Sequence, residues 1–235
     1  MFLKENQYES IKRRVVSDGR KQREKIEPKD ASSPTVSTEA VILTATIDAL
    51  EGLDVAVVDI PGAYMSAEMD DEVQVVFRGT LAEMMVMADP ALYQPFVSYE
   101  TGNPFLYVRL QKSLYGCLKS ALLFCKKLVG DLEAYEFKIN PYDPCVSNKM
   151  IGGKKLTVCW HVDDLKISCL NTNEVTKMIQ WLESEYGEMH GSRGKRHDYL
   201  GMWLNYSIPR EVRISTEEYL RGVLDNFPEE ITETP

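Results

Sequence analysis

Two β-rich runs, residues 155–161 and 165–170, are separated only by Val162, Asp163 and Asp164. So short a gap between runs of Leu, Val, Thr, Trp and Ile predicts a hairpin. It also predicts two adjacent carboxylates at the hairpin tip, beside Cys159, Trp160, Ile167 and Cys169. Their mutual repulsion next to apolar neighbours is costly unless a divalent cation balances it.

A third acid ends another run. Residues 53–60 are rich in Val, and the breakers Pro61-Gly62 follow Asp59-Ile60, so Asp59 is expected at the C-terminal end of a strand. Mg²⁺ takes hard oxygen ligands, typically one or two carboxylates plus substrate phosphates, and three acids on neighbouring strand ends suit a pair of such ions. An Asp in a turn is more often merely solvated, so the three acids gain meaning only from the motifs around them.

The remaining pattern predicts an α+β chain. Residues 38–50 read as a buried helix stopped by Gly52, 73–77 and 105–110 as strands, and 14–17 as a strand in an otherwise frayed N-terminus. Ala121, Cys125, Leu128, Leu132 and Tyr135 recur at helical spacing toward Asn140-Pro141. A second amphipathic helix carries Val175, Met178, Ile179, Leu182 and Tyr186, with Asn173 as cap and Gly187 as stop. After a loop at 187–197 come strands near 198–206 and 211–214, then a helix over 216–227 whose Ser215 and Glu218 form a capping box. Strand, helix, hairpin, helix and strand in that order give a split βαβ pattern, an antiparallel sheet covered by helices on one face.

Five cysteines without a Cys-x-x-Cys pair suggest neither a disulfide framework nor a zinc site. The sequence has no leader-like N-terminus and no apolar run long enough for a bilayer, so no membrane partner is expected. A net charge of −9 runs against wholesale phosphate binding, but residues 112–127 hold Lys112, Lys119, Lys126 and Lys127 and no acid. His190 and His197 have no matching ligands and are expected at the surface. His161 is either a hydrogen-bonded structural residue or a pH-sensitive contact.

Motifs in family order from about residue 12 to Pro235 resemble the copia-type retrotransposon reverse transcriptases. Asp59-Ile-Pro-Gly-Ala63-Tyr64 is similar to their Asp-x-x-x-Ala-aromatic motif, and His161-Val-Asp-Asp164 to their Tyr-x-Asp-Asp box. Lys112-Ser-Leu-Tyr-Gly116 with Lys119-Ser120, Asp143-Pro-Cys-Val146, and Tyr199-Leu-Gly201 with Ile214-Ser215 and Tyr219-Leu220 match later segments; Arg14-Val-Val and 33–37 resemble fingers motifs. His161 stands where the family has Tyr, and Ala121 where it has Pro.

The resemblance implies an RNA-directed DNA polymerase with Asp59, Asp163 and Asp164 as catalytic metal ligands and the Ile60 carbonyl as an added one. It implies two Mg²⁺ ions, with Mn²⁺ as the substitute, and a nucleotide site formed by Tyr64, Tyr115, Gly116 and Arg14, Tyr64 acting as steric gate. Its partners would be an RNA or DNA template with primer and deoxynucleoside triphosphates, in a cytoplasmic virus-like particle or the nucleus. The expected layout is partial fingers at about 1–52 and 73–120 and palm at about 53–72 and 121–235, with no connection or RNase H region. The alternative is a catalytically inactive remnant that keeps the fold and binds nucleic acid.

Overall fold

A computed structural model describes residues 2–5, 11–14 and 16–227. The chain opens with strands β1 (Phe2–Glu5) and β2 (Ile11–Arg14), helices α1 (Pro28–Ala31) and α2 (Thr38–Glu51), and strand β3 (Asp54–Asp59). Next come α3 (Ala63–Ser66), β4 (Gln74–Arg78), α4 (Thr80–Ala88), α5 (Pro90–Tyr93), β5 (Ser98–Glu100) and β6 (Asn103–Arg109). The middle runs α6 (Ser120–Ala134), β7 (Lys138–Ile139), β8 (Val146–Ile151), β9 (Lys154–His161), β10 (Asp164–Cys169) and α7 (Thr172–Tyr186). The rest is β11 (His190–Arg193), β12 (Arg196–Tyr199), β13 (Met202–Asn205), β14 (Arg213–Ser215) and α8 (Glu217–Asp225).

Two compact units result, Met1–Ser33 with Tyr64–Phe124, and Pro34–Ala63 with Cys125–Pro235. This division differs from the expected one chiefly at residues 34–52, which belong with the second unit. Two polar ties explain it. Asp143 accepts hydrogen bonds from the Ser37 amide (3.0 Å) and hydroxyl (2.8 Å) and from the Cys145 amide (2.9 Å), so the Asp-Pro-Cys-Val segment anchors the entry to α2. Further along α2, Asp48 forms an ion pair with Lys166 of β10, their side chains 2% and 0% exposed.

In the first unit β1 and β2 pair antiparallel, and β4, β6 and β5 form an antiparallel three-stranded sheet. The expected strand at 14–17 lies earlier, at Ile11–Arg14, and Val15 falls outside the described residues.

The second unit is built on a six-stranded sheet in the order β11-β3-β10-β9-β8-β7, every described pairing antiparallel. Val55 to Val58 of β3 are buried, which is why that run lacks alternating polarity; Leu165 to Cys169 of β10 are buried too, although Lys166 and Ser168 alternate with its apolar residues. On one face α7 buries Val175, Met178 and Leu182, and Tyr135, just past the end of α6, stacks on Trp181 of α7 with centroids 4.4 Å apart. Arg193 ties this face together, donating to Asp54 (3.0 Å), to the Thr176 hydroxyl (2.7 Å) and to the Thr172 carbonyl (2.7 Å). The opposite face carries α2, through Lys166 and Asp48, and the β12-β13-β14 sheet, whose Tyr199 hydroxyl donates to the Cys159 carbonyl at 3.2 Å. Helical cover is therefore two-sided, because a fully buried Lys166 needs a carboxylate from the face away from α6 and α7.

Several local expectations change. Helix α6 ends at Ala134 rather than near Asn140, because Glu136 takes φ 67° and turns the chain into β7. The cap of α7 is Asn171, which accepts from the Asn173 amide at 3.0 Å, and not Asn173 itself. The expected capping box at α8 does not form: Glu218 is drawn to Arg196 at 3.0 Å, and Ser215 accepts from the Glu217 amide at 3.2 Å.

The segment 187–197, expected as loop, supplies the edge strand β11. Gly191 explains how: a Cβ there would lie 2.2 Å from the Val57 carbonyl oxygen, so only glycine lets this edge close onto β3.

His197, expected at the surface, is fully buried, and His190 is exposed. The His197 ring nitrogens lie 2.9 Å from the Ser192 hydroxyl and 3.1 Å from the Gly194 carbonyl, so a neutral imidazole accepts from the first and donates to the second. Burial lowers its pKa below the usual 6.5. Below that value the unfolded chain binds a proton that the folded chain resists, so this contribution is present above about pH 6.5 and is lost as pH falls. Urea midpoints at pH 7.5 and 5.5 should show a loss of at most about 1.4 kcal/mol per pH unit from this group, absent in His197→Gln. A pH dependence identical in the variant would refute this role for the ring.

Candidate active site

The acids meet through strand register. Asp59, the last residue of β3, lies directly opposite Asp164, the first of β10, and Asp164 lies opposite His161, the last of β9. Asp163 occupies the two-residue loop between β9 and β10, and its carbonyl accepts the Ile60 amide at 3.0 Å, tying the hairpin tip to the end of β3. The three expected acids thus share one end of the sheet, and exposed His190 of β11 stands opposite Asp59 on its other side. Nothing in the sequence of 187–197 signalled that neighbour.

The tip itself is strained. Val162 takes φ 56° at the first loop position, the pattern of a type II′ turn, where glycine is the usual occupant and a β-branched residue is disfavoured. Such conformations cost on the order of 1–3 kcal/mol and persist where surrounding structure enforces them. Here the ladders on both sides of β10 and the Ile60 bond supply that enforcement.

Crowding shows in Asp164. Its carboxyl is pushed up to about 6, first by burial and then by the charges of Asp163 and Asp59, with His161 acting in the opposite direction. Three oxygen-donor acids with this repulsion have the donor chemistry a divalent cation needs. Among the described residues, however, no three His, Cys, Asp or Glu side chains converge as a ready-made ion site.

The other candidate residues gather within the first unit. Tyr64 and Tyr115 pack with ring centroids 4.4 Å apart, and Phe124 lies 6.4 Å from Tyr64. Ser113 donates to the Tyr64 carbonyl. Gly116 is fixed by a crossing of chain segments: a Cβ there would lie 1.9 Å from the Ser17 carbonyl oxygen, and the Ser17 amide donates to the Tyr115 carbonyl at 2.7 Å. This crossing gives Lys-Ser-Leu-Tyr-Gly a structural reason for its glycine. Arg14 ends β2, and its side chain lies outside what is described. Lys119 is held between Asp70 (3.6 Å) and Asp71, whose hydrogen bond raises its pKa, and Ser120 donates to the Leu114 carbonyl at 2.7 Å. Both serve the loop's own structure.

Residues 2–234 match the family described as reverse transcriptase (RNA-dependent DNA polymerase). The chain belongs to that reverse transcriptase family. It is a family typical of copia-type elements. No curated protein matches it significantly. Solved structures similar to this reverse transcriptase chain include a foamy viral protease-reverse transcriptase in complex with double-stranded DNA, at 12% identity and TM-score 0.40, covering 75% of this chain and 24% of that one. Two yeast telomerases are also similar. That of Candida tropicalis, truncated from its C-terminal domain, has 16% identity and TM-score 0.41, with 77% and 40% covered. That of Candida albicans, in complex with a TWJ fragment of telomeric RNA, has 14% identity and TM-score 0.44, with 83% and 37% covered. The reverse transcriptase chain spans less than half the length of these three proteins. None of its helices among the described residues is long and apolar enough to cross a membrane.

Proposed function

We propose that this chain is the fingers-and-palm part of a copia-type RNA-directed DNA polymerase, with Asp59, Asp163 and Asp164 as the ligands of two Mg²⁺ ions. The observation that supports this reading most is the register that sets Asp59 opposite Asp164 with Asp163 in the adjoining turn. When bound, such ions lower the pKa of a primer 3′-hydroxyl and neutralise the triphosphate and the pyrophosphate leaving group. The protein's share is to hold three carboxylates on a rigid sheet end, fixed by the Ile60 amide on the Asp163 carbonyl. The Ile60 carbonyl is an added ligand in this reading, and the family resemblance assigns Arg14 to the triphosphate.

Extension of a primer on an RNA template, with Mg²⁺ and all four deoxynucleotides, tests the reading. Product formation supports it. No product at any Mg²⁺ or Mn²⁺ concentration from a folded preparation favours the inactive remnant.

Tyr64 is assigned the steric gate, with Tyr115 as the ring that fixes its orientation. If its ring rejects a ribose 2′-hydroxyl, Tyr64→Val should raise ribonucleotide relative to deoxynucleotide incorporation by roughly a hundredfold, the equivalent of about 3 kcal/mol. A Tyr64 that serves packing alone would behave otherwise. The variant would then lose stability by a few kcal/mol and use both sugars less, at an unchanged ratio.

A further inference from the structure

Away from the acids, the other end of the same sheet collects cations in a chain of net charge −9. Between Phe137 and Val162 there are four lysines, Lys138, Lys149, Lys154 and Lys155, and one acid, Asp143, which is already saturated by Ser37 and Cys145. Lys149 is committed to Glu136 at 3.2 Å and to the Tyr135 carbonyl at 2.8 Å. Lys138, Lys154 and Lys155 are exposed and have no acidic partner among the described residues. Register places Lys138 opposite Asn148 and Lys155 opposite Met150, so both lysines stand on one face of the edge formed by β7, β8 and β9.

A groove of about 600 Å³ opens here, lined by Lys138, Asn140, Asn148 and Met150 among others. Its polar character is one-sided. The Asn148 carbonyl oxygen accepts from Thr157 at 2.9 Å and that of Asn140 from the Tyr142 amide at 2.8 Å, which leaves both amide NH₂ groups as donors beside the Lys138 ammonium. Glu136, the acid on the wall, is taken by Lys149. Next to these donors Tyr142 is 95% exposed, although its backbone is held by Asn140 before it and the buried Asp143 after it. An exposed ring on a held backbone, two residues on in the chain from the donor amide of Asn140, together with lysines that lack an acidic partner, suits a chain of phosphates with stackable bases.

We infer that this edge is a binding site for single-stranded nucleic acid, in which Lys138 and Lys155 meet phosphates and a base stacks on Tyr142, while Lys154, paired with Ile151, lies on the other face. The inference deepens the polymerase reading and rests on it only in taking the bound strand to be template.

Binding of fluorescein-labelled dT and rU 20-mers, followed by anisotropy from 20 to 200 mM NaCl, tests the site. Replacing Lys138 and Lys155 together by glutamine should reduce the slope of log K against log salt by about 1.4, since each single-strand phosphate contact contributes about 0.7. Tyr142→Ala should weaken binding about tenfold at unchanged slope. Both variants alter exposed side chains, and their melting temperatures should match the parent. An unchanged slope, no binding by the parent chain at 20 mM NaCl, or an affinity indifferent to Tyr142 overturns the inference. Displacement of the strand by polyglutamate, as effective per charge as by unlabelled dT, overturns it too by assigning the patch to acidic protein. Primer extension with the same preparations separates the two readings. Extension with an unchanged slope removes the groove and keeps the polymerase, whereas a reduced slope without extension keeps the groove and removes the polymerase.

Discussion

Asp163→Asn should lower the rate of primer extension at least about a thousandfold, equivalent to about 4 kcal/mol of transition-state stabilisation, while the protein melts within a degree or two of the parent. The two halves of this expectation have one cause. Asp163 lies in a tip where like charges and burial already push Asp164 up to about 6, so removing a carboxylate relieves repulsion. The contact that fixes the tip, from the Ile60 amide to the Asp163 carbonyl, belongs to the backbone and survives the change. Single-turnover extension and a thermal melt on one preparation check it. An active variant would exclude the carboxylate from metal binding, and an unfolded one would show that the side chain carries structure.

Lys166 predicts the largest effect on stability. It is fully buried, and its ammonium is matched by Asp48. Removing one member of a buried pair strands the other charge, at a cost of about 3–5 kcal/mol, whereas replacing both by apolar residues of similar volume is often neutral or better. Lys166→Met and Asp48→Leu should each lower the melting temperature by roughly 10 °C, taking about 2–4 °C per kcal/mol for a chain of this size. The double variant should recover most of that loss. Burial and the Asp48 charge also raise the pKa of the Tyr206 phenol, so its titration should move back toward normal in the double variant. Additive losses in the double variant would mean that the two residues do not act as a pair.

The hairpin, the strand bearing Asp59 and the helices at 38–51 and 172–186 were legible because each couples a strong periodicity or apolar run to an unambiguous stop. The three acids were legible as a set for the same reason: each sits where a run ends. What could not be read has a common physical form, in that a distant partner decides it. β11 exists because Gly191 closes on Val57, and His197 is buried because its own strand, β12, packs against β3 and β11. Glu218 leaves its helix for Arg196, and Lys166 is tolerated inside only because Asp48 arrives from α2. Local sequence gave no sign of these pairings, and at 80–104 it offered no single period strong enough to reveal α4, α5 and β5.

The register of Asp59 with Asp164 has a consequence for how the protein comes into being. The turn at Val162 is disfavoured by its own residue, so the tip is set by ladders, and one of those ladders joins segments roughly a hundred residues apart. Ribosomes add about 5–20 residues per second, so a newly made β3 waits on the order of 5–20 s before its partner exists. During that interval the Val-rich strand has both edges unpaired, because its partners β10 and β11 both lie later in the chain. The acid cluster therefore cannot assemble until β10 has emerged.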